Sequence, residues 1–366
     1  MIVGALEMGL PISSGEIRIG IVGAGQITRT RHFPGFRAIP GVRIVGVCNR
    51  RGESTRRVAR EFDIPKVYNN WEDLVADPEV DAVVIGAWPY LHCPVTLAAL
   101  DAGKHVLTQA RMAMNAREAQ RMHDRALESP RLTAMIVPSP YGLTGDAYLR
   151  SLIDSGFLGH LREVHVHSFN DHLADPKTPM SWRQLTRYSG FNMLTLGILY
   201  ETVLRWVLPA KRVLGYATKM IPQRFDPEQE KKVRVGTPDS VHAITTQEDG
   251  SNGVYRLSGV VWHENSMGVA LYGSDGTLIY DLVRDEIRGA RRRDPGLQPM
   301  PIPESVRGGW QVEADFIASI RGERPVTRTD FLTGVRYMQF TEAVARSSRH
   351  QVPVTLPLRE FSNPSL

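Results

Sequence analysis

A glycine turn set between a strand and a helix restricts this 366-residue chain more than any other feature. Ile17-Arg18-Ile19-Gly20-Ile21-Val22 reads as a strand, and Gly23-Ala24-Gly25-Gln26-Ile27-Thr28 follows it directly. The first glycine permits a tight turn. The second lets a ligand's phosphates approach the backbone at the N-terminus of the next helix. The third glycine usual in such turns is replaced by Thr28, so the context must carry the reading. That context is supportive. Short apolar runs recur at 43–48, 82–85, 106–107 and 134–137, with helical stretches such as 94–102 and 116–127 between them. Strands alternating with helices imply a parallel sheet with right-handed crossovers. Residues 16–138 therefore read as a doubly wound, Rossmann-type domain, with Gly23, Gly25, Gln26 and Ile27 at the dinucleotide phosphates.

The pattern changes after Pro138 and Pro140. Strand-like runs at 164–167, 242–246, 254–258, 268–272 and 277–280 are separated by turns such as Glu248-Asp249-Gly250. Helices are expected at 146–155, 193–207, 311–321 and 331–346. Residues 139–366 thus read as an α+β domain, a large open-faced, mostly antiparallel sheet with helices on one face. Val254, Leu257, Val260 and Val261 are expected to make its outer face apolar, which calls for a closed dimer or tetramer.

Bulk properties narrow the function. Residues 1–15 carry Glu7 and no basic stretch, and are expected to be a disordered extension rather than a signal peptide. No run approaches the roughly 18 apolar residues of a membrane span. Cys48 and Cys93 sit among apolar neighbours, which suits a reducing cytoplasm. The net charge is +5, and Arg288, Arg291, Arg292 and Arg293 form the densest basic cluster. No aromatic interleaving or nucleic-acid motif accompanies it, so a solvated loop is expected. The anticipated partner is a small molecule, not a nucleic acid or a membrane.

The end of the second strand bears on the cofactor. An NAD-selective site usually places an acid there, against the ribose 2′-hydroxyl. Here Asn49, Arg50 and Arg51 follow Cys48. An acid would repel a 2′-phosphate, whereas a guanidinium pairs with it. NADP(H) is therefore expected over NAD(H), with Trp88 walling the nicotinamide pocket.

With these landmarks in place, the chain resembles the Gfo/Idh/MocA oxidoreductases. The likeness rests on the glycine turn, on Asp77-Pro78-Glu79-Val80-Asp81-Ala82-Val83-Val84-Ile85, on Leu91-His92 and on Gly103-Lys104-His105-Val106. It continues in Gly273-Ser274-Asp275-Gly276-Thr277-Leu278 and Pro353-Val354-Thr355-Leu356-Pro357. The resemblance implies a two-domain sugar, inositol or polyol dehydrogenase whose open sheet is often buried against a partner subunit. It also exposes departures. The family's Glu-Lys-Pro matches Gln109, Ala110 and Arg111. Its Asp and His, one helical turn apart, match Thr195 and Leu199, and a later Asp matches Thr202. Its Thr-Pro-Asn turn matches Ala87, Trp88 and Pro89, with His92 retained.

Oxidising an alcohol requires a base for the hydroxyl proton, and Ala110 and Leu199 cannot serve. His92, Tyr200, Asp171 and His172 are the expected substitutes, with Tyr141 and Tyr188 as further candidates. Arg111, whose pKa exceeds about 12, is expected to bind a carboxylate or an oxyanion instead. His92 and Gln109 are also expected at the cofactor. His165 and His167 share a strand face, but no Cys or paired carboxylate completes a set with them or His172, so no metal is expected. The resemblance implies an NAD(P)-dependent oxidoreductase acting on a sugar, cyclitol or related polyhydroxylated or keto substrate. A redox-neutral lyase, epimerase or glycoside-cleaving enzyme with a retained dinucleotide stays open, as does a non-catalytic dinucleotide-binding regulator.

Overall fold

Alternation of strand and helix in the first third produces a six-stranded parallel sheet. The computed structural model describes residues 15–138 and 143–361. In it β1 (Ile17–Val22), β2 (Val42–Cys48), β3 (Lys66–Val67), β4 (Ala82–Ile85), β5 (His105–Thr108) and β6 (Ala134–Ile136) lie in the order β3-β2-β1-β4-β5-β6. Every neighbouring pair is parallel. The connecting helices are α1 (Phe33–Arg37), α2 (Gly52–Glu61), α3 (Trp71–Ala76), α4 (His92–Asp101) and α5 (Ala116–Leu127). A wide π-type turn, Thr28–His32, leads into α1. Successive strand residues face opposite sides, yet Val83, Val84 and Ile85, like Val106 and Leu107, are all buried. Both faces of the sheet are therefore covered, as continuous apolar strands require. Arg18 grips Asp81 with two side-chain bonds of 2.9 and 2.8 Å, joining β1 to the approach of β4. The strand order reverses between β1 and β4, which opens a crevice at their carboxyl ends.

The second unit contains α6 (Asp146–Asp154), β7 (Leu161–Phe169), the short α7 (Thr186–Ser189), α8 (Leu196–Leu204) and β8 (Ala210–Thr218). A small hairpin, β9 (Gln223–Asp226) and β10 (Lys231–Arg234), stands apart from the main sheet. Then come β11 (Ser240–Gln247), β12 (Asn252–Ser258), β13 (Ser266–Gly273), β14 (Gly276–Asp281), β15 (Glu286–Arg291) and β16 (Gln298–Pro299). α9 (Val312–Ile320), α10 (Phe331–His350) and β17 (Val354–Thr355) close the chain. The nine-stranded sheet runs β16-β15-β14-β13-β7-β12-β11-β8-β17. Only β7 and β12 pair parallel; the rest are antiparallel. Its inner face packs on helices. Tyr200 of α8 stacks on Phe340 of α10 at 3.7 Å between ring centroids, and Tyr255 of β12 lies 5.2 Å from Phe340.

Three expectations need correction. Helix 193–207 is shorter, because Leu194 adopts φ 45°, outside helical space. Leu257 does not face outward: it is fully buried, while Val254 is half-buried. The two are three residues apart, and strand alternation sends them to opposite faces. Val260 and Val261 lie beyond the end of β12. The outer row instead runs in register through Leu214, Ile244, Val254, His165, Ala270 and Ile279. Leu214 and Ile244 are 44% and 59% exposed. Finally, the first unit does not end at residue 138. Gln311–Val335 returns to it, with Phe316 of α9 6.4 Å from Phe36 and the Thr329 carbonyl accepting the Ile136 N–H. Tyr141 and the expected extension up to residue 14 lie outside the described residues.

Candidate functional site

Two glycines meet where the strand order reverses. Gly23 follows β1 with φ 89°, and its N–H donates to the Cys48 carbonyl at 2.8 Å. Gly86 follows β4, and its N–H donates to the Val22 carbonyl at 2.8 Å. A Cβ on Gly86 would sit 2.2 Å from both the Gly23 oxygen and Thr28 Oγ1. One on Gly23 would come 2.4 Å from the Ala87 nitrogen. Neither position accepts a side chain. The missing third glycine is thereby accounted for. Thr28 is buried with its hydroxyl donating to the Gly23 carbonyl at 3.2 Å, and the bare residue its bulk requires is supplied by Gly86. Gly25 differs. A Cβ there would meet only the Gly86 oxygen, at an ordinary 3.5 Å, so the space above it is not filled by protein.

A cleft of about 510 Å³ opens over this turn. Its walls include Gly23, Ala24 and Gly25, the segment Asn49, Arg50 and Arg51, and Asn69, Asn70 and Trp71, with Gly86, Ala87 and Trp88 opposite. The Arg50 guanidinium lies 5.1 Å from the Trp88 ring centroid, in cation–π range. Asn49 has a duty the sequence did not disclose. Its Oδ1 accepts the Ala24 N–H at 2.7 Å and its Nδ2 donates to Ser54 Oγ at 3.1 Å, so the amide braces the glycine turn. Bare turn, helix N-terminus and nearby cations suit a dinucleotide pyrophosphate. Gln26 and Ile27 are not among the cleft-lining residues. Nor is Gln109, which is buried just past β5 with its N–H donating to the Ile85 carbonyl.

The proton-handling candidates fare unevenly. His92 is buried; Nδ1 lies 2.9 Å from the Arg111 carbonyl and Nε2 lies 2.9 Å from the Ala87 carbonyl. Burial holds the ring below its ordinary pKa, although the carbonyls work against that. Its two nitrogens face carbonyls of the segment after β5 and of the loop after β4, and a neutral ring donates to only one of them. Tyr200 is a core residue. Its oxygen accepts the Ala210 N–H at 2.9 Å, and burial raises its pKa well above the phenol range. Both side chains are thus engaged with backbone. Arg111 is buried after β5, in the first unit. Asp171 and His172 are exposed in the second unit, in the loop after β7. Tyr188 is half-buried beneath Arg187, whose guanidinium lies 4.8 Å from its ring. In the slots where the resembling family carries acid–base groups, Leu199 is fully buried and Thr202 spends its hydroxyl on the Ile198 carbonyl. Two titratable residues passed unnoticed in the sequence, His32 and Glu313. Their 281-residue separation left no local signal for the contact they make. No helix among the described residues is long and apolar enough to cross a membrane.

Comparison with known proteins agrees with this geometry. Residues 17–137 match the oxidoreductase family with an NAD-binding Rossmann fold, and residues 147–279 match the GFO/IDH/MocA C-terminal domain. The chain belongs to the Gfo/Idh/MocA family of NAD-binding oxidoreductases. An oxidoreductase of Synechocystis sp. is 25% identical over 297 residues, 78% of each chain. The structure of levoglucosan dehydrogenase in complex with NADH and L-sorbose superposes with TM-score 0.82 at 19% identity, over 94% of this chain and 99% of that one. The WlbA dehydrogenase of Bordetella pertussis, in complex with NADH and UDP-GlcNAcA, gives 0.77 at 20% identity, over 94% and 99%.

The two kinds of glycine are separable by stability. Gly86→Ala should cost about 1–3 kcal/mol through overpacking against backbone. Gly25→Ala should stay within about 0.5 kcal/mol of wild type. Denaturant unfolding of both variants, followed by tryptophan fluorescence, checks this. Equal losses would mean that the crowding has been assigned to the wrong glycine.

Proposed function

We propose that the chain is an NADP(H)-preferring dehydrogenase of a sugar, cyclitol or related polyhydroxylated compound bearing a carboxylate or a keto group. The observation that carries the cofactor choice is the guanidinium of Arg50 over Trp88 in a cleft whose β2 end offers Asn49 in place of an acid. Asn49 braces the turn, which leaves Arg50 and Arg51 as the groups able to pair with a 2′-phosphate. Gly23 and Gly25 would hold the pyrophosphate, and the bound nicotinamide would supply or accept the hydride. The substrate class is supported by family membership and by the levoglucosan and WlbA dehydrogenases, and the acidic group by Arg111.

With His92 and Tyr200 held in structural bonds, Asp171 and His172 are the remaining candidates for the substrate proton. A redox-neutral enzyme with a retained dinucleotide is the second reading, favoured by the absence of an ionisable group at Ala110 and Leu199. We also infer a homodimer or homotetramer formed through the outer sheet row that includes Leu214, Ile244 and Val254. Light scattering at micromolar concentration should show the assembly, and Ile244→Lys should dissociate it. A wild-type monomer would contradict this.

Charge-assisted bonds to a phosphate are worth about 1.5–3 kcal/mol, a preference for NADP(H) of roughly ten- to hundredfold. Arg50→Ala should remove most of it while leaving NAD(H) affinity nearly unchanged, and Gly25→Val should abolish binding of both. Fluorescence titration measures all four affinities; equal wild-type affinities would rule out Arg50 as the discriminating residue. Turnover gives the second check. General acid–base catalysis contributes about 10²–10⁴-fold, so NADP-linked oxidation of glucose or myo-inositol should be slower by that order than oxidation of acidic or keto-activated sugars. Fast oxidation of the neutral sugars would refute the substrate assignment. Cofactor that copurifies and is never released during turnover would favour the redox-neutral reading.

A further inference from the structure

The β9–β10 hairpin stands apart from the main sheet, and none of the roles above uses it. Arg224, on β9, is fully buried, and its guanidinium stays charged at any working pH. Nη1 donates to the Asp175 and Thr178 carbonyls at 2.8 and 3.0 Å, and Nη2 donates to the Leu173 carbonyl. All three acceptors belong to the loop after β7, which forms no helix or strand between Phe169 and Trp182. Carbonyls outside a ladder need other donors, and a buried charge is costly unless it is hydrogen-bonded. Each meets the other's need here. The hairpin is attached to the same stretch: the Met180 N–H donates to the Phe225 carbonyl at 2.7 Å, and the Gly236 N–H, just after β10, donates to the Gln184 carbonyl at 2.8 Å. At its start the loop is tied to the segment after β12. The Asn170 N–H donates to the Ser258 carbonyl at 3.0 Å, the Leu173 N–H to the Gly259 carbonyl at 2.7 Å and the Val261 N–H to the Asn170 carbonyl at 3.1 Å. Asp171 and His172 lie between these ties with their side chains exposed.

We propose that Arg224 is a positioning residue: by gathering the Leu173, Asp175 and Thr178 carbonyls it fixes the turn that presents Asp171 and His172 to the substrate. The inference rests on the reading of that pair as the groups that take the substrate proton. It gives the separate hairpin a purpose, which is to carry a cation beneath a loop that has no ladder of its own. It also accounts for the residue type. A lysine ammonium is a single point of donation, whereas the planar guanidinium reaches carbonyls from two separate nitrogens. With the backbone of the pair already set, little ordering is left for the moment of proton transfer.

Hydrogen exchange reads the loop without substrate or cofactor. Arg224→Met keeps the aliphatic length and removes the donors. It should speed exchange at the Ala174 and Thr178 amides, which bond to the Asp171 and Asp175 carbonyls, by about tenfold or more, with the amides of β1 and β4 unaffected. Unchanged exchange in the loop overturns the proposal. Turnover tests the consequence, on the acidic or keto-activated sugar that the wild type oxidises fastest. Arg224→Met should lower kcat/KM roughly ten- to hundredfold, the scale of a small misplacement of a reacting group, while the NADP(H) Kd holds. Turnover indifferent to the substitution, or a Kd that worsens in step with it, overturns the proposal. Arg224→Lys should give a smaller loss of the same kind and serves if Arg224→Met fails to fold. The combined variant shows whether Arg224 acts through the pair: on a background of Asp171→Asn with His172→Asn, Arg224→Met should cost nothing further, and a full additional loss overturns the proposal. The two readings fail differently. If Asp171→Asn and His172→Asn lower turnover but Arg224→Met does not, the proton assignment stands and the positioning role is gone. If the pair can be replaced without loss, both are gone.

Discussion

The contact between Gly23 and Gly86 is the constraint on which the first unit turns. β1 and β4 are neighbours in the sheet, and their chains leave it in opposite directions. For a crevice to form between them, the two exits must pass within backbone contact, which only residues without Cβ allow. Everything at the cleft follows from that passage. It fixes the aim of the glycine turn, lets Thr28 fold its hydroxyl back onto the turn, and brings Ala87 and Trp88 opposite Arg50. Asn49 then ties the second strand to the same turn.

Polar side chains in this unit act mainly on backbone. His92 spans two loops, and Lys104 is buried with its ammonium donating to the Asp77 and Val80 carbonyls at 2.7 and 2.5 Å. Groups fixed in this way give a loop a definite shape where regular hydrogen bonding has ended. A histidine at the mouth of a sheet is therefore as well suited to holding the mouth open as to chemistry within it.

Features governed by local rules were readable from the sequence. Strands β1 and β4 begin and end where their apolar runs do, because burial on both faces demands unbroken apolar stretches. α5 likewise spans the anticipated residues. β8 went unread because the consecutive exposed residues Lys211 and Arg212 interrupt its alternation near the start, and β10 because Lys231, Lys232 and Arg234 hide any apolar alternation. The outer face was misassigned at Leu257 by a parity error that one residue's shift would have reversed. At the site, the glycine turn was legible because a tight turn and an open backbone are demands on neighbouring residues. The brace at Asn49, the duties of His92 and the pairing of His32 with Glu313 are tertiary facts with no periodicity to betray them.

The return of α9 to the first unit has a consequence for how the protein is made. A ribosome releases the chain from its N-terminus, and a domain that ended at residue 138 would be complete while the remainder was still being synthesised. Here Phe36 waits for Phe316, His32 for Glu313 and the edge strand β6 for Thr329. During that interval the nascent sheet has an uncovered apolar flank and a histidine without its carboxylate. Completion of the first unit is thus postponed until residues 311–335 have emerged, after most but not all of the second unit.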